Sequence, residues 1–188
     1  MTRANDAWVP AQRRRRRHRL VARHEFERRE QDVTQTTFHR RHLDFKSWPE
    51  LLADVDHLRQ AHYDRAGNWD LSQILEHVGE GLRTALRGTD HQGPWIVRKF
   101  VGPLIMKRIL SQRRMKAGIK VPKWWLPGPS HDESAAVDQF RSEVGDFQGM
   151  TTTPLPHPFF GPLTKQQWND LVLIHAAHHL SFLIPRST

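Results

Sequence analysis

The chain contains no cysteine among its 188 residues. That excludes disulfides, thiolate metal sites, iron–sulfur clusters and a cysteine nucleophile together, and it fits a cytoplasmic protein. Any metal must be held by nitrogen and oxygen ligands, and 13 histidines supply the nitrogen. Long apolar runs are also missing. No stretch approaches the roughly 20 apolar residues needed to cross a bilayer, and none follows the basic run Arg13–Arg17 as a secretory signal would require. Strand alternation and repeats of solenoid period are absent throughout.

The formal net charge is +9, but it is unevenly spread. Residues 1–43 hold 12 Lys/Arg against 5 Asp/Glu, whereas residues 44–188 hold 17 against 15. The basicity therefore belongs mostly to the N-terminal arm, residues 1–42, which is expected to be disordered. Its arginines suit phosphates or anionic lipid. An over-extended gene model is the alternative, because no sustained apolar period appears before Leu43. Residues 43–188 then form one domain, long enough to bury a core without staples.

From Leu43 onward helical periods are separated by Pro/Gly breaks. Ser47 and Glu50 read as a capping box with Pro49 in the first turn, followed by Leu51, Leu52, Val55 and Leu58 at helical spacing. A second helix is expected from Asn68–Asp70 to Gly88, and a third helical region over 95–117, bent at Gly102-Pro103. Residues 121–129 read as a Pro/Trp-rich loop. Ser130 and Glu133 are expected to box a helix running to Phe147, and Thr164 and Gln167 one running to Leu183. The four prolines of 149–163 forbid a continuous helix there. An all-α bundle is the economical architecture.

The last helix carries Trp168, Leu171, Val172, His175, His179 and Phe182 on one stripe. Histidines at i and i+4 share a helix face within reach of one ion. Burying two imidazoles side by side wastes apolar area unless something binds their nitrogens. A lone histidine on such a face is usually a hydrogen-bonded core residue; the pair is better evidence for a metal. His178 is expected to face a neighbouring helix or solvent. A third ligand must come from another helix, and His77 suits it, flanking the Leu71/Leu75/Val78/Leu82 stripe with Gly81 leaving room one turn on. The helical wheel permits this choice without requiring it.

Two segments carry a family resemblance. Asn68-Trp69-Asp70-Leu71-Ser72-Gln73-Ile74-Leu75-Glu76-His77-Val78 resembles the second-helix motif of the DinB/YfiT-like superfamily, and His175-Ala176-Ala177-His178-His179 resembles its closing motif. More specifically, Trp69 to Leu75, Gly102-Pro103-Leu104, His157-Pro158-Phe159-Phe160-Gly161 and the closing His-His-Leu-Ser-Phe-Leu look like the bacterial family called domain of unknown function 1569. The resemblance covers about residues 42–185. It implies a DinB-like four-helix bundle with an additional helix, and a mononuclear site on His77, His175 and His179. It also implies metal-dependent transferase or isomerase chemistry, in some relatives with a low-molecular-weight thiol. One departure stands out. Many superfamily members carry glutamine three residues after the last histidine, where this chain has Phe182.

Three imidazoles leave coordination positions open, as in catalytic sites. The expected cofactor is a divalent ion, zinc by default, with nickel, iron or manganese allowed. The expected activity is a transferase or hydrolase acting on a small substrate. Glu80, three residues after His77, is a candidate second-layer group or general base, the plain alternative being a solvated carboxylate. His157 is a candidate acid/base over the open side, or else it caps a loop. Trp124, Trp125, Phe159 and Phe160 are expected to wall an apolar pocket or to pack as core lids. The competing readings are a structural metal clasp and a basic surface binding nucleic acid or anionic membrane through the Lys/Arg of 95–117, a segment without Asp or Glu. A homodimer fits any of the three.

Overall fold

Capping side chains set where four of the five α-helices begin. In the computed structural model, which describes residues 40–118 and 122–186, five α-helices account for more than half of the described residues. The first, α1 (Trp48–Ala61), starts at Ser47, whose side chain accepts from the Glu50 N–H. Glu50 returns its carboxylate to the Lys46 N–H, one residue earlier than a capping box requires. Next, α2 (Leu71–Arg87) is held by a complete Asp70/Gln73 box, and Gly88, at φ 81°, ends it by donating to the Thr84 carbonyl. The last helix, α5 (Lys165–Leu180), has the expected Thr164/Gln167 box.

The third helical region is shorter and more irregular than its sequence period suggests. A π-helical turn (Val97–Val101) leads into α3 (Gly102–Gln112), which ends at Arg113 in the left-handed region, so residues 113–117 are not helical. The π turn displaces the expected bend to just before Pro103; an i→i+5 turn accommodates a ring that would crowd an α-helical carbonyl. Gly102 is required where it stands, because a Cβ there would meet the Phe159 carbonyl oxygen at 2.1 Å.

Helix α4 (Glu133–Gly149) follows the Pro/Trp loop. Its cap is Asp132, not Ser130: the Asp132 carboxylate accepts from the Ala135 N–H at 2.6 Å. Asp132 directly precedes the first helical residue, so its short side chain reaches the free N–H groups. Glu133 instead accepts from the Tyr63 hydroxyl.

Two further expectations are corrected. Helix α5 stops at Leu180, not Leu183, and Leu183–Pro185 forms β2, paired antiparallel with β1 (Tyr63–Arg65). Three-residue strands are too short to display alternation, and Pro185 disfavours helix in the residue before it.

Around α5 the other helices share one core. Leu51, Val55 and Leu58 of α1, Leu71, Leu75 and Leu82 of α2, Met106 and Ile109 of α3, and Phe140 and Phe147 of α4 are all buried in it. Each such side chain contributes about 1.5–3 kcal/mol. Leu171, Val172, Leu173, Ile174, Ala176 and Ala177 are buried in succession, so α5 is enclosed on most sides and not along a single stripe. Residues 1–39, and with them nearly all of the expected arm, lie outside the described residues. Arg40 and Arg41 are described and bonded: Arg41 forms a bidentate pair with Asp54 at 2.6 and 2.8 Å.

Candidate metal centre

Helices α2 and α5 bring three imidazoles together. His77 Nε2 lies 3.1 Å from His175 Nε2, which lies 2.9 Å from His179 Nε2. One ring nitrogen of each residue falls within 4.8 Å of the others. Four-residue spacing on α5 puts His175 and His179 on one face; the α2–α5 contact supplies His77.

The Pro/Trp loop fixes the protonation pattern. His77 Nδ1 donates to the Trp125 carbonyl at 2.9 Å, because a carbonyl can only accept. In the neutral ring the Nε2 lone pair then faces the other two histidines. The loop is itself pinned to α2: Gln73 Nε2 donates to the Gly128 carbonyl, and Glu76 accepts from the Gly128 N–H. Trp125 thus acts through its backbone, and its buried ring anchors that carbonyl.

Burial keeps these rings uncharged. Desolvation pushes His77 down to about 4, aided by nearby His178 and opposed by the Trp125 carbonyl. Desolvation and the neighbouring imidazoles hold His175 well below its ordinary value and take His179 to about 2. Neutral imidazole is the form that binds a metal. Among the three, His175 Nε2 has two nitrogen neighbours but at most one proton to give in the neutral state. Protein hydrogen bonds alone therefore leave at least one of the two N···N contacts unsatisfied. A cation at the centre resolves this: bonds of about 2.0–2.1 Å from tetrahedral nitrogens place those nitrogens about 3.3 Å apart, close to the His77–His175 and His175–His179 separations. The triad could hold a metal ion.

Around it, the Trp69 ring stacks on His179 at 5.1 Å between centroids and tilts over His77 at 4.9 Å. A cavity of about 740 Å³ opens beside the three rings, with Trp69, Leu126, Met115, Lys116, His178 and Phe182 in its wall. Phe182 stands where the resemblance leads one to expect glutamine, and the Arg40 guanidinium lies 3.9 Å over its ring. Arg40 also fastens the end of α5 through Ser181 Oγ and the His178 carbonyl. By sequence Arg40 belongs to the arm, since nothing local to it signals a partner 141 residues away.

The other candidates lie elsewhere. Glu80 pairs with Arg83 on the outer side of α2, within a network that includes the buried Glu143 of α4. His157 is buried in an aromatic cluster, stacked on Phe160 at 4.3 Å, and is not among the residues lining the cavity. Its Nδ1 accepts from the Phe159 and Phe160 N–H groups, so it caps the turn that Gly161 closes at φ 75°. Trp124 and Phe159 stack on each other in that cluster, at 5.8 Å. His178, expected to face a helix or solvent, sits in the cavity wall with its ring edge on His179. Gly81 is not needed for the approach of α5: a Cβ there would make only an ordinary contact, 4.0 Å from Val172.

The fold and the cluster define a mostly helical protein with three histidines able to hold one ion. The chain belongs to the family described as Protein of unknown function (DUF1569), which matches residues 37–186. No curated protein and no solved structure matches it significantly. Among the described residues, no helix is long and apolar enough to cross a membrane.

Proposed function

We propose that this protein is a metal-dependent enzyme of the DinB-like four-helix-bundle superfamily, acting on a small substrate by transferase or hydrolase chemistry. His77, His175 and His179 hold one divalent ion, zinc by default, with nickel, iron or manganese allowed because imidazole does not select strongly among them. The observation that carries the reading is the convergence of three neutral Nε2 atoms, one of them set in its tautomer by the Trp125 carbonyl. When bound, such an ion acidifies water or a thiol and polarises a substrate oxygen. The chain's own residues do the rest. Trp69 holds the His179 and His77 rings in place, and Phe182 and Leu126 offer apolar surface to a substrate entering the cavity. With Phe182 in place of an amide, substrate orientation falls to Lys116 and His178 at the rim.

The adjoining cavity favours a catalyst over a structural clasp, since a clasp needs no room for a substrate. The test is metal content by plasma emission on purified protein, the His175→Ala variant and the His178→Ala variant. About one equivalent in the wild type and in His178→Ala, with loss in His175→Ala, supports the site. Equal, negligible metal in all three overturns it.

A further inference from the structure

The π turn and α3 leave an apolar face uncovered. Trp95 is 58% exposed, Ile96 61%, Phe100 55% and Leu104 70%. Val101, Leu104 and Ile105, also exposed, recur at i, i+3 and i+4 and so form one stripe. The adjoining face of the same helix carries the buried Gly102, Met106 and Ile109. The helix cannot roll to hide the stripe, because Gly102 is locked against the Phe159 carbonyl. Exposed side chains of this size present on the order of 500 Å² of apolar surface, at the upper end for a monomer and usual for a contact site.

The charge around the stripe narrows the choice of partner. Residues 95–117 hold seven Lys/Arg and no Asp or Glu. Lys99 Nζ lies 5.0 Å from the Trp95 ring centroid and 5.7 Å from that of Phe100, and Lys107 and Arg108 flank the stripe exposed. A second copy docking through this face would set cations against cations, since a two-fold contact repeats the same patch. The chain's own N-terminal segment has the same sign, with 12 Lys/Arg against 5 Asp/Glu over residues 1–43. Nucleic acid would meet the charge through its phosphates but offers little to Ile96, Leu104 and Ile105. An anionic bilayer surface meets both demands, taking aromatic and aliphatic groups at the acyl boundary while Lys and Arg stems reach its phosphates.

We propose that the face spanning Trp95 to Ile105 docks the protein on anionic membrane surfaces, with Lys99, Lys107 and Arg108 contacting lipid phosphates. It is independent of the metal centre, which lies on α2 and α5. Arg13–Arg17 can add a second electrostatic signal, so the test must separate the two.

Full-length protein is sedimented with vesicles of phosphatidylcholine alone or mixed with phosphatidylglycerol. Three chains are compared: the wild type, a double variant Leu104→Asp/Ile105→Asp, and a variant with Arg13–Arg17 replaced by serine. The wild type is expected to bind only the anionic vesicles, the double variant at least tenfold more weakly, and the serine variant to retain a measurable part of the binding. Both substituted residues are exposed, so melting and metal content should stay unchanged. Should the double variant misfold, Trp95→Phe serves instead: a blue shift on anionic vesicles in the wild type, missing in this variant, supports the contact. Binding by the double variant equal to that of the wild type would assign the interaction to the arm and overturn the proposal. Equal binding to both vesicle types would overturn it, as would no binding. A dimer or an acidic protein partner lost in the double variant, without vesicle binding, would likewise contradict it.

Discussion

Acid should unfold the metal-free protein through histidines that are buried uncharged, and His157 gives the cleanest case. Its Nδ1 accepts from two backbone N–H groups, so a proton there would set donor against donors. Burial alone pushes it to about 3. A histidine whose folded value lies below its unfolded one, about 6.5, binds fewer protons when folded. Its contribution is complete above pH 6.5 and is lost progressively as pH falls from 6.5 towards 3. At pH 5 the unfolded chain gains about 2 kcal/mol from protonating this one ring, since each pH unit below 6.5 is worth about 1.4 kcal/mol. His77, held at about 4, adds a similar cost once metal is removed. Together, about 4 kcal/mol is a large share of the 5–15 kcal/mol typical of a domain. The assay is urea unfolding of chelator-treated wild type and His157→Gln at pH 7.5 and pH 5. The variant should be less stable at pH 7.5, by an amount that shrinks by about 2 kcal/mol at pH 5, because only the wild type has this ring to protonate. A gap that stays constant with pH would refute the reasoning.

Two substitutions probe the packing that positions the site. At Gly79 an added Cβ would lie 2.2 Å from Glu143 Oε2, a carboxylate already tied to Arg83 and Gln139. Gly79→Ala should therefore destabilise by about 1–2 kcal/mol in urea, overpacking outweighing the gain in helix propensity. Trp69→Ala should leave the fold intact by circular dichroism but weaken metal affinity roughly tenfold in chelator competition, because it frees the His179 ring to rotate.

The helices nearest the site were legible because their signals are local. Thr164 and Gln167 mark the start of α5, and Gly88 marks the end of α2. The i, i+4 spacing of His175 and His179 needs only helix geometry to put them on one face. His77 was different: its wheel position permitted the assignment, and the family resemblance singled it out. Contacts between distant segments were not legible. The Trp125 carbonyl that orients His77 comes from 48 residues away, and a backbone group leaves no trace in residue identity. The β1–β2 pair was missed because three residues cannot show a period. The chemistry of His157 and Glu80 makes them candidates in the sequence, yet a capped turn and an Arg83 pair account for their places. The exposed stripe of α3 reads in the sequence like any other amphipathic helix; only the packing reveals which side is uncovered.

The sharpest test is an anomalous-scattering map from crystals grown with the protein's native metal. One peak per chain, about 2 Å from Nε2 of His77, His175 and His179 alike, is the result the geometry requires. A metal-replete crystal with those three nitrogens unbridged, or with its peak on other histidines, would contradict it.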